Sequence, residues 1–419
     1  MSSVSQRPVS RRSSTTIFYT LAIGSGVMRT ASVVFDIVSI NTIDVNPLVY
    51  GFLAQWVSFL VSVVLVAILS IRITRQGRRQ SIGYDLDPDF DRLRILPKRP
   101  MIYLAIAGFF AGISTLSYYI LAGSADASSM LPYGQLVIIY LLVGDLLAEK
   151  DTPTIVEIQS IVSILFGVLL IGSTPSGFDI GALIIVLGPM NISSAFVTYY
   201  QRKTKRYEIR PGLRVDSLNM RIWSLLVLNS VMSLLMVPML PADSLQMMID
   251  YFVPLFWMMV GSGAATFLSL IMYVRALGKG SMSIVNSLSA VSVVLGVPVT
   301  LVGNLFIPGG FGVIDTQPFM WILTILGIIL VMLGILALQA SEVRSIVVIK
   351  VKPQTGDLLP QLFDIKGVEK VAALGGPLDY LLTIKSRTLA KTNSMVLKKI
   401  QKINGIDRIE TLVVMRDHR

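Results

Sequence analysis

Arg29 is where any chemistry of this chain would start. It lies well inside an apolar run from about residue 16 to 40, whereas every other Lys or Arg is expected in loops, at segment ends or in the tail. A cation in hydrocarbon costs about 2.5–3.5 kcal/mol even on the gentler insertion scale, so it needs a cavity or a partner. Ser25, Arg29, Ser32, Asp36 and Ser39 recur every three or four residues and give one helix a polar face. Asp36 is two turns beyond Arg29, roughly 10.5 Å along the axis, too far for pairing within the helix. Two readings stand. Either Arg29 attracts a carboxylate or another anion, which its planar fork suits, or it serves a structural ion pair or the carbonyls of a broken helix.

Other apolar segments carry weaker polar stripes. Asn191, Ser194, Thr198 and Gln201 share one face, as do Ser262, Thr266, Ser269 and Tyr273. Tyr118, Tyr119, Gln135 and Asn286 fall in or near further segments. Small and polar residues also serve ordinary helix packing, so each stripe alone reads as packing, and their convergence reads as a pocket. The candidate substrate contacts are Arg29, Asp36, Tyr119, Gln135, Asn191 and Asn286. Asp145, Glu149 and Glu157 stand at segment ends, where they either couple protons or are solvated. The run Asp85, Asp87, Asp89 and Asp91 lacks the glycine and closing glutamate of a calcium loop and reads as a solvated, lipid-touching loop. Gly24-x-Gly26 and Gly278-x-Gly280 are too short to cradle phosphate. With no Cys and the lone His418 at the C-terminal tip, His-based metal sites and triads are excluded. No nucleophile–base pair converges, so neither enzymatic activity nor a cofactor is expected.

The elements that must position these residues are apolar. The chain has 419 residues, 53% hydrophobic and 15% charged; soluble proteins carry about 25% charged residues. Ten runs approach the roughly 20 residues a spanning helix needs. They lie near 16–40, 48–71, 101–122, 129–147, 155–173, 180–200, 220–240, 252–274, 281–306 and 318–340. Residues 1–15 are polar and basic, and the long run that follows lacks a cleavage pattern, so the first span is expected to be retained. Loops at 72–100, 201–221 and 275–279 are basic, whereas those near 41–47, 123–128, 174–179, 241–251 and 307–317 hold no Lys or Arg. This alternation places both termini in the cytoplasm of a multi-pass cell-membrane protein. It also assigns the net charge of +11 to topology rather than nucleic-acid binding.

The segment closing on Gly144-Asp145 recurs as one closing on Gly303-Asn304, 159 positions later. Five spans per half is an odd number, so the second half enters the membrane inverted, a device of transporters with a midplane site. The layout resembles the drug/metabolite transporter superfamily of EamA type. The resemblance is carried by Leu121-Ala122 through Ser129, Pro132…Gly144-Asp145 and Gly167-Val168-Leu169-Leu170. In the second half it rests on Arg275-Ala276-Leu277-Gly278, Gly303-Asn304, Gly327 and Gly334-Ile335-Leu336. That family usually has Glu at positions 145 and 304, and this chain adds Pro308-Gly309-Gly310-Phe311-Gly312. The resemblance implies transport of a small organic solute without naming it.

After Ala340 the composition becomes that of a soluble domain. Alternation and turn signals predict strands at Ser345–Lys352, Val368–Leu374, Tyr380–Lys385 and Ile406–Met415, with helices at Leu358–Phe363 and Thr388–Ile403. The β-α-β-β-α-β order predicts a ferredoxin-like α+β sheet. This tail resembles the effector-binding domain of Lrp/AsnC regulators through Gly367-Val368-Glu369-Lys370-Val371, Gly376-Pro377-Leu378-Asp379-Tyr380-Leu381-Leu382 and the stretch from Gly405 to Val414. The resemblance implies an amino-acid-like effector near the middle turn, with Gly375, Gly376, Asp379, Tyr380 and Thr411 as candidate contacts, and a homodimer paired through this domain. The DNA-binding helices that would precede such a domain are replaced by the tenth span.

The expected architecture is thus an α-helical polytopic membrane protein of ten helices. It comprises an N-terminal tail (1–15), two inverted five-helix repeats (16–175 and 176–342) and the C-terminal domain (343–419). The expected function is transport of a solute such as an amino acid or related metabolite, regulated through the tail. The alternative is a membrane-anchored sensor or scaffold that transports nothing.

Overall fold

The computed structural model describes residues 12–75, 78–122, 127–147, 155–171, 173, 180–312, 317–340, 343–353, 358–363, 365, 368–375, 378–386, 398–401 and 403–413. In chain order come α1 (Arg12–Ile43), α2 (Pro47–Leu69), a hairpin of β1 (Arg72–Arg75) and β2 (Arg78–Ser81), and α3 (Lys98–Ala122). Next are α4 (Ala127–Gln135), α5 (Val137–Leu147), α6 (Ile155–Ile171), α7 (Ile180–Ile185) and α8 (Asn191–Lys205). The short pair β3 (Glu208–Arg210) and β4 (Leu213–Arg214) precedes α9 (Ser217–Met236), α10 (Ser244–Leu277), α11 (Met282–Ser289), α12 (Val291–Phe306) and α13 (Pro318–Ala340). Residues 16–145 and 161–335 form one compact unit, and the C-terminal domain belongs to another.

Among the described residues, eight helices are long and apolar enough to cross a membrane. Two shorter apolar helices, Met130–Asp145 and Ile158–Ile171, lie where the fourth and fifth of ten spans are expected. The outward faces are apolar: Val253 and Trp257 are 77% exposed and Leu305 81%. Exposed apolar surface on this scale calls for a covering such as hydrocarbon.

Two of the apolar segments are broken in the same way. Between α4 and α5, Leu136 N donates to Tyr133 O (3.4 Å) and Ile139 N to Leu136 O (3.2 Å). Between α11 and α12, Ala290 N donates to Ser287 O (3.2 Å) and Val293 N to Ala290 O (3.0 Å). At each break three-residue bonding interrupts the helical ladder. A third break falls between α7 and α8, where Gly188 leaves helical geometry (ψ −108°) beside Pro189. Proline removes a donor and crowds the preceding turn.

The two halves of the sequence meet reciprocally on α6 and α13. A Cβ added to Gly167 would fall 2.5 Å from Gly327 O and 2.7 Å from a methyl of Val331. One added to Gly327 would fall 2.6 Å from Gly167 O and 2.7 Å from Ile171. Gly167 and Gly327 lie 160 positions apart, as do Ile171 and Val331. A contact in which each member touches its counterpart's neighbour is what a two-fold relation produces. Because the crowding atoms include backbone, Gly327→Leu is expected to destabilise the helical unit by about 1–3 kcal/mol, as overpacking does. A melting series in detergent checks this, with Gly375→Ala, where nothing lies within 4 Å, as the silent control.

The stretch between α2 and α3 corrects an expectation. It is not a solvated loop: Phe90 joins Val66, Leu218, Ile222, Phe267 and Ile271 in one buried cluster, and Leu96 packs in another with Leu104, Val215, Met220 and Val274. Asp87 is buried and accepts from Lys205 Nζ (2.8 Å), Ser217 N (2.7 Å) and Ser217 Oγ (2.5 Å). Lys205 also reaches Asp89 (3.0 Å). Burial pushes the Asp87 carboxyl up, but Lys205 and the Ser217 donors outweigh it and hold it below the ordinary carboxylate value. A lowered folded pKa gives stability that is complete above the unfolded value of about 3.9 and lost as pH falls through the folded one. The melting temperature of the native protein should therefore exceed that of Asp87→Asn at pH 6, and the gap should close toward pH 3.

In the C-terminal domain β5 (Val343–Val351), α14 (Leu359–Phe363), β6 (Val368–Ala373), β7 (Tyr380–Ser386), a helical turn at Lys398–Gln401 and β8 (Ile406–Val413) follow in order. The antiparallel sheet runs β6-β7-β5-β8, the order of a ferredoxin-like fold. Val347 and Ile349 on β5 and Tyr380, Leu382 and Ile384 on β7 alternate onto one face. They pack against Leu362 and Ile400. Of the second expected helix, residues 387–397 lie outside the described residues.

Candidate solute-binding site

The polar stripes expected on α1 and α10 face each other. Ser269 Oγ donates to Ser25 O (2.8 Å), Ser32 bonds to Thr266 (2.5 Å) and Ser262 (3.2 Å), and Ser262 Oγ donates to Asp36 Oδ1 (2.8 Å). The pairing runs antiparallel, 25 with 269 and 36 with 262. Further along the same stripe of α10, Tyr273 OH meets Thr198 of α8 (3.3 Å). Ser194 in turn bonds Ser114 of α3 (2.8 Å).

Arg29 emerges from this face beside the broken α4. A side chain at Gly134 would overlap Arg29 Nη2, and Met190, at the kink before α8, closes the same space. With glycine there the guanidinium lies against α4, and a larger residue would require it to shift. Arg29 is partly exposed. No hydrogen bond or ion pair to it occurs among the described residues; its electrostatic neighbours are the phenols of Tyr273 and Tyr118. Asp36 is buried, and its Oδ1 accepts from Tyr50 OH (2.9 Å) and Ser262 while Oδ2 accepts only a long bond from Tyr118 OH (3.4 Å). Arg29 and Asp36 do not pair with each other.

The other expected contacts hold the broken helices. Asn286 Nδ2 donates to Gln135 Oε1 (3.0 Å), and Gln135 Nε2 donates to Ser292 Oγ (3.2 Å). These bonds join the break in α4–α5 to the break in α11–α12. Asn191 Nδ2 donates to Val186 O (2.7 Å) and Tyr133 O (2.9 Å), carbonyls at the kink and at the neighbouring break, while its buried Oδ1 has no partner among the described residues. Tyr140 OH and Ser114 Oγ satisfy two more freed carbonyls, Leu187 O (2.6 Å) and Met190 O (2.9 Å). Irregular backbone persists at membrane depth when side chains re-pair it in this way. Tyr119 is buried, and its hydroxyl accepts from Gln55 (3.2 Å).

Two expectations about charge are corrected here. Asp145 is not a solvated helix end. It is 2% exposed and accepts from Arg202 Nη1 (2.8 Å), Met282 N (3.1 Å), Ser283 N (2.7 Å) and Ser283 Oγ (2.7 Å). A carboxylate from α5 thus caps the N-terminus of α11 while pairing with α8. Nor is Arg29 the sole cation inside the helical unit: Arg202 and Arg221 are both buried, and Arg221 reaches Ser58 Oγ at 3.5 Å. Arg202 escaped the sequence reading because it sits at the edge of a basic loop. Tyr50 escaped it because it stands alone in the first turn of α2. Glu149 lies outside the described residues.

At the middle turn of the C-terminal domain, Asp379 Oδ2 accepts from Val351 N (2.7 Å) and Asp379 N donates to Ile349 O (3.0 Å). Tyr380 OH accepts from Leu358 N (3.2 Å). Gly375 is exposed, and a Cβ there would meet nothing within 4 Å. Gly376 lies outside the described residues. Thr411 stands opposite Val347 in the sheet, on β8. Residues 344–419 match the family model of the Lrp/AsnC ligand binding domain. This Lrp/AsnC-like domain therefore occupies the C-terminal end of a chain that is otherwise mostly apolar helix. No curated protein matches the chain. A solved structure described only as "Crystal structure of protein" aligns at 14% identity with a TM-score of 0.48, over 78% of this chain and 95% of its own.

Proposed function

We propose that the chain is a secondary transporter of a small organic solute, working by alternating access between two oppositely inserted five-span halves. In this reading ten spans cross the cell membrane and both termini are cytoplasmic. The observation that carries it is the meeting of two equally broken helices, one from each half, beside Arg29, which has no ion pair among the described residues. Discontinuous helices at corresponding places in two repeats are where transporters bind their cargo. The reciprocal contact of Gly167 and Gly327 supports the repeat. Arg29 is the anchor for a carboxylate or similar anion, and the chain carries out no covalent chemistry.

The Lrp/AsnC-like domain binds an amino-acid-like effector, pairs with a second copy and biases the transport cycle. Bias requires unequal affinity for inward- and outward-facing states. The family match by itself also favours a second reading, a membrane-anchored sensor with no flux. Proteoliposomes loaded with amino acids and related metabolites decide between them. Saturable flux of any of these solutes supports transport; effector binding without flux of any supports the sensor.

A further inference from the structure

We infer that the solute is a zwitterion, carrying its carboxylate to Arg29 and its ammonium group to Asp36. The inference rests on the transport reading for its biological meaning, but it stands on the two charges themselves. Arg29 has no counter-charge among the described residues, and neither does Asp36. Both lie on one face of α1, two turns apart. Tyr118 stands between the two in charge: its hydroxyl donates to Asp36, and Arg29 is an electrostatic neighbour of that phenol. Oδ1 of Asp36 is engaged twice at short range, while Oδ2 holds a single bond of 3.4 Å and has a lone pair to spare.

The protein's own charges here sum to zero, and a charge in low dielectric needs its partner. A simple anion would satisfy Arg29 and approach an uncompensated carboxylate. A simple cation would do the reverse. A solute bearing both groups neutralises each. Complementarity of this kind sets specificity more than affinity.

The test uses the full chain in detergent and solutes of graded charge separation, since the two residues lie two turns apart: free glycine, 4-aminobutanoate and 6-aminohexanoate, their N-acetyl derivatives, and their methyl esters. The first form has both charges, the second only the anion, the third only the cation. Ligand-induced rise in melting temperature is measured for native, Arg29→Gln and Asp36→Asn proteins. The C-terminal domain is identical in all three, so any rise due to it is common to all. The expected result is a further rise in the native protein with at least one free amino acid. Its apparent affinity should fall roughly tenfold or more in either variant, as the loss of a charged hydrogen bond does. Asp36→Asn should then prefer the N-acetyl form and Arg29→Gln the ester. Equal responses of the three proteins to every form would overturn the inference. So would native protein that binds the N-acetyl form as tightly as the free amino acid. Should Asp36→Asn fail to fold, Arg29→Gln, whose lost side chain makes no hydrogen bond or ion pair among the described residues, carries the comparison. Charge-dependent binding without flux in proteoliposomes would remove the transport reading and leave this one standing. Flux of the N-acetyl form with exclusion of the free amino acid would do the opposite.

Discussion

Arg29→Ala protein is expected to insert, fold and melt close to native, with any flux of the native protein falling to background. The expectation follows from what Arg29 does not touch. It makes no hydrogen bond or ion pair with the protein among the described residues, so its removal breaks none. Relief of a charge that costs about 2.5–3.5 kcal/mol to insert pushes stability up. Functional loss and structural loss are therefore separable at this position. Arg29→Lys keeps the charge but not the two-pronged fork, and should retain weak flux. Gly134→Val should displace the guanidinium from its place beside α4 and slow flux without abolishing it, because the atom that it crowds ends a flexible side chain. The measurement is initial rate in proteoliposomes beside the melting temperature in detergent. Normal flux in Arg29→Ala would end the role assigned to this residue.

The largest effect on stability is expected at Asp145. Its removal takes from Arg202, which is 1% exposed, the carboxylate that it meets at 2.8 Å, and takes from the amides of Met282 and Ser283 the acceptor that they share. Breaking a buried pair by deleting one partner costs about 3–5 kcal/mol, mostly because a charge is left uncompensated. Asp145→Ala should therefore melt far below the native protein, while Asp145→Asn, which still accepts from the helix end, should lose less. Adding Arg202→Met to Asp145→Ala should restore part of the loss, since the buried guanidinium that lost its carboxylate is then gone as well. A double-mutant cycle that shows simple additivity would mean the pair is not coupled. The same contact ties α5 in one half of the sequence to α8 and α11 in the other. In a cycle of alternating access it must open, so variants that weaken it should also shift the protein toward the state open at that end.

Much of the helical unit was legible because its signal is local. A polar residue every three or four positions fixes a face, and α1 and α10 met along the faces so read. Strand alternation and the turn after Leu374 did the same for the C-terminal sheet. The breaks were not legible. Leu136 and Ala290 carry no breaker, while Pro132 lies within α4 and Pro298 within α12. The breaks are set by tertiary contacts such as Gln135 with Asn286, 151 positions apart. The charged contacts were hidden for the same reason. Asp145 and Arg202 are 57 positions apart, and Asp87 and Lys205 are 118 apart. Each residue read alone looked like a solvated end, because no pattern in sequence announces a distant partner.

At the Met282 end of the ninth apolar segment, Asp145 receives four donors. At the Phe306 end the insertion folds back instead: Phe311 lies over Gly303, Asn304 Nδ2 donates to Gly312 O (2.7 Å), and Phe311 N donates to Asn304 Oδ1 (3.1 Å). The two ends of this segment are therefore fastened by different chemistry, one by a buried ion pair with three neutral donors, the other by an aromatic ring and a side-chain amide. Salt and pH act on a charged fastening and leave a neutral one alone, so the two ends should loosen under different conditions.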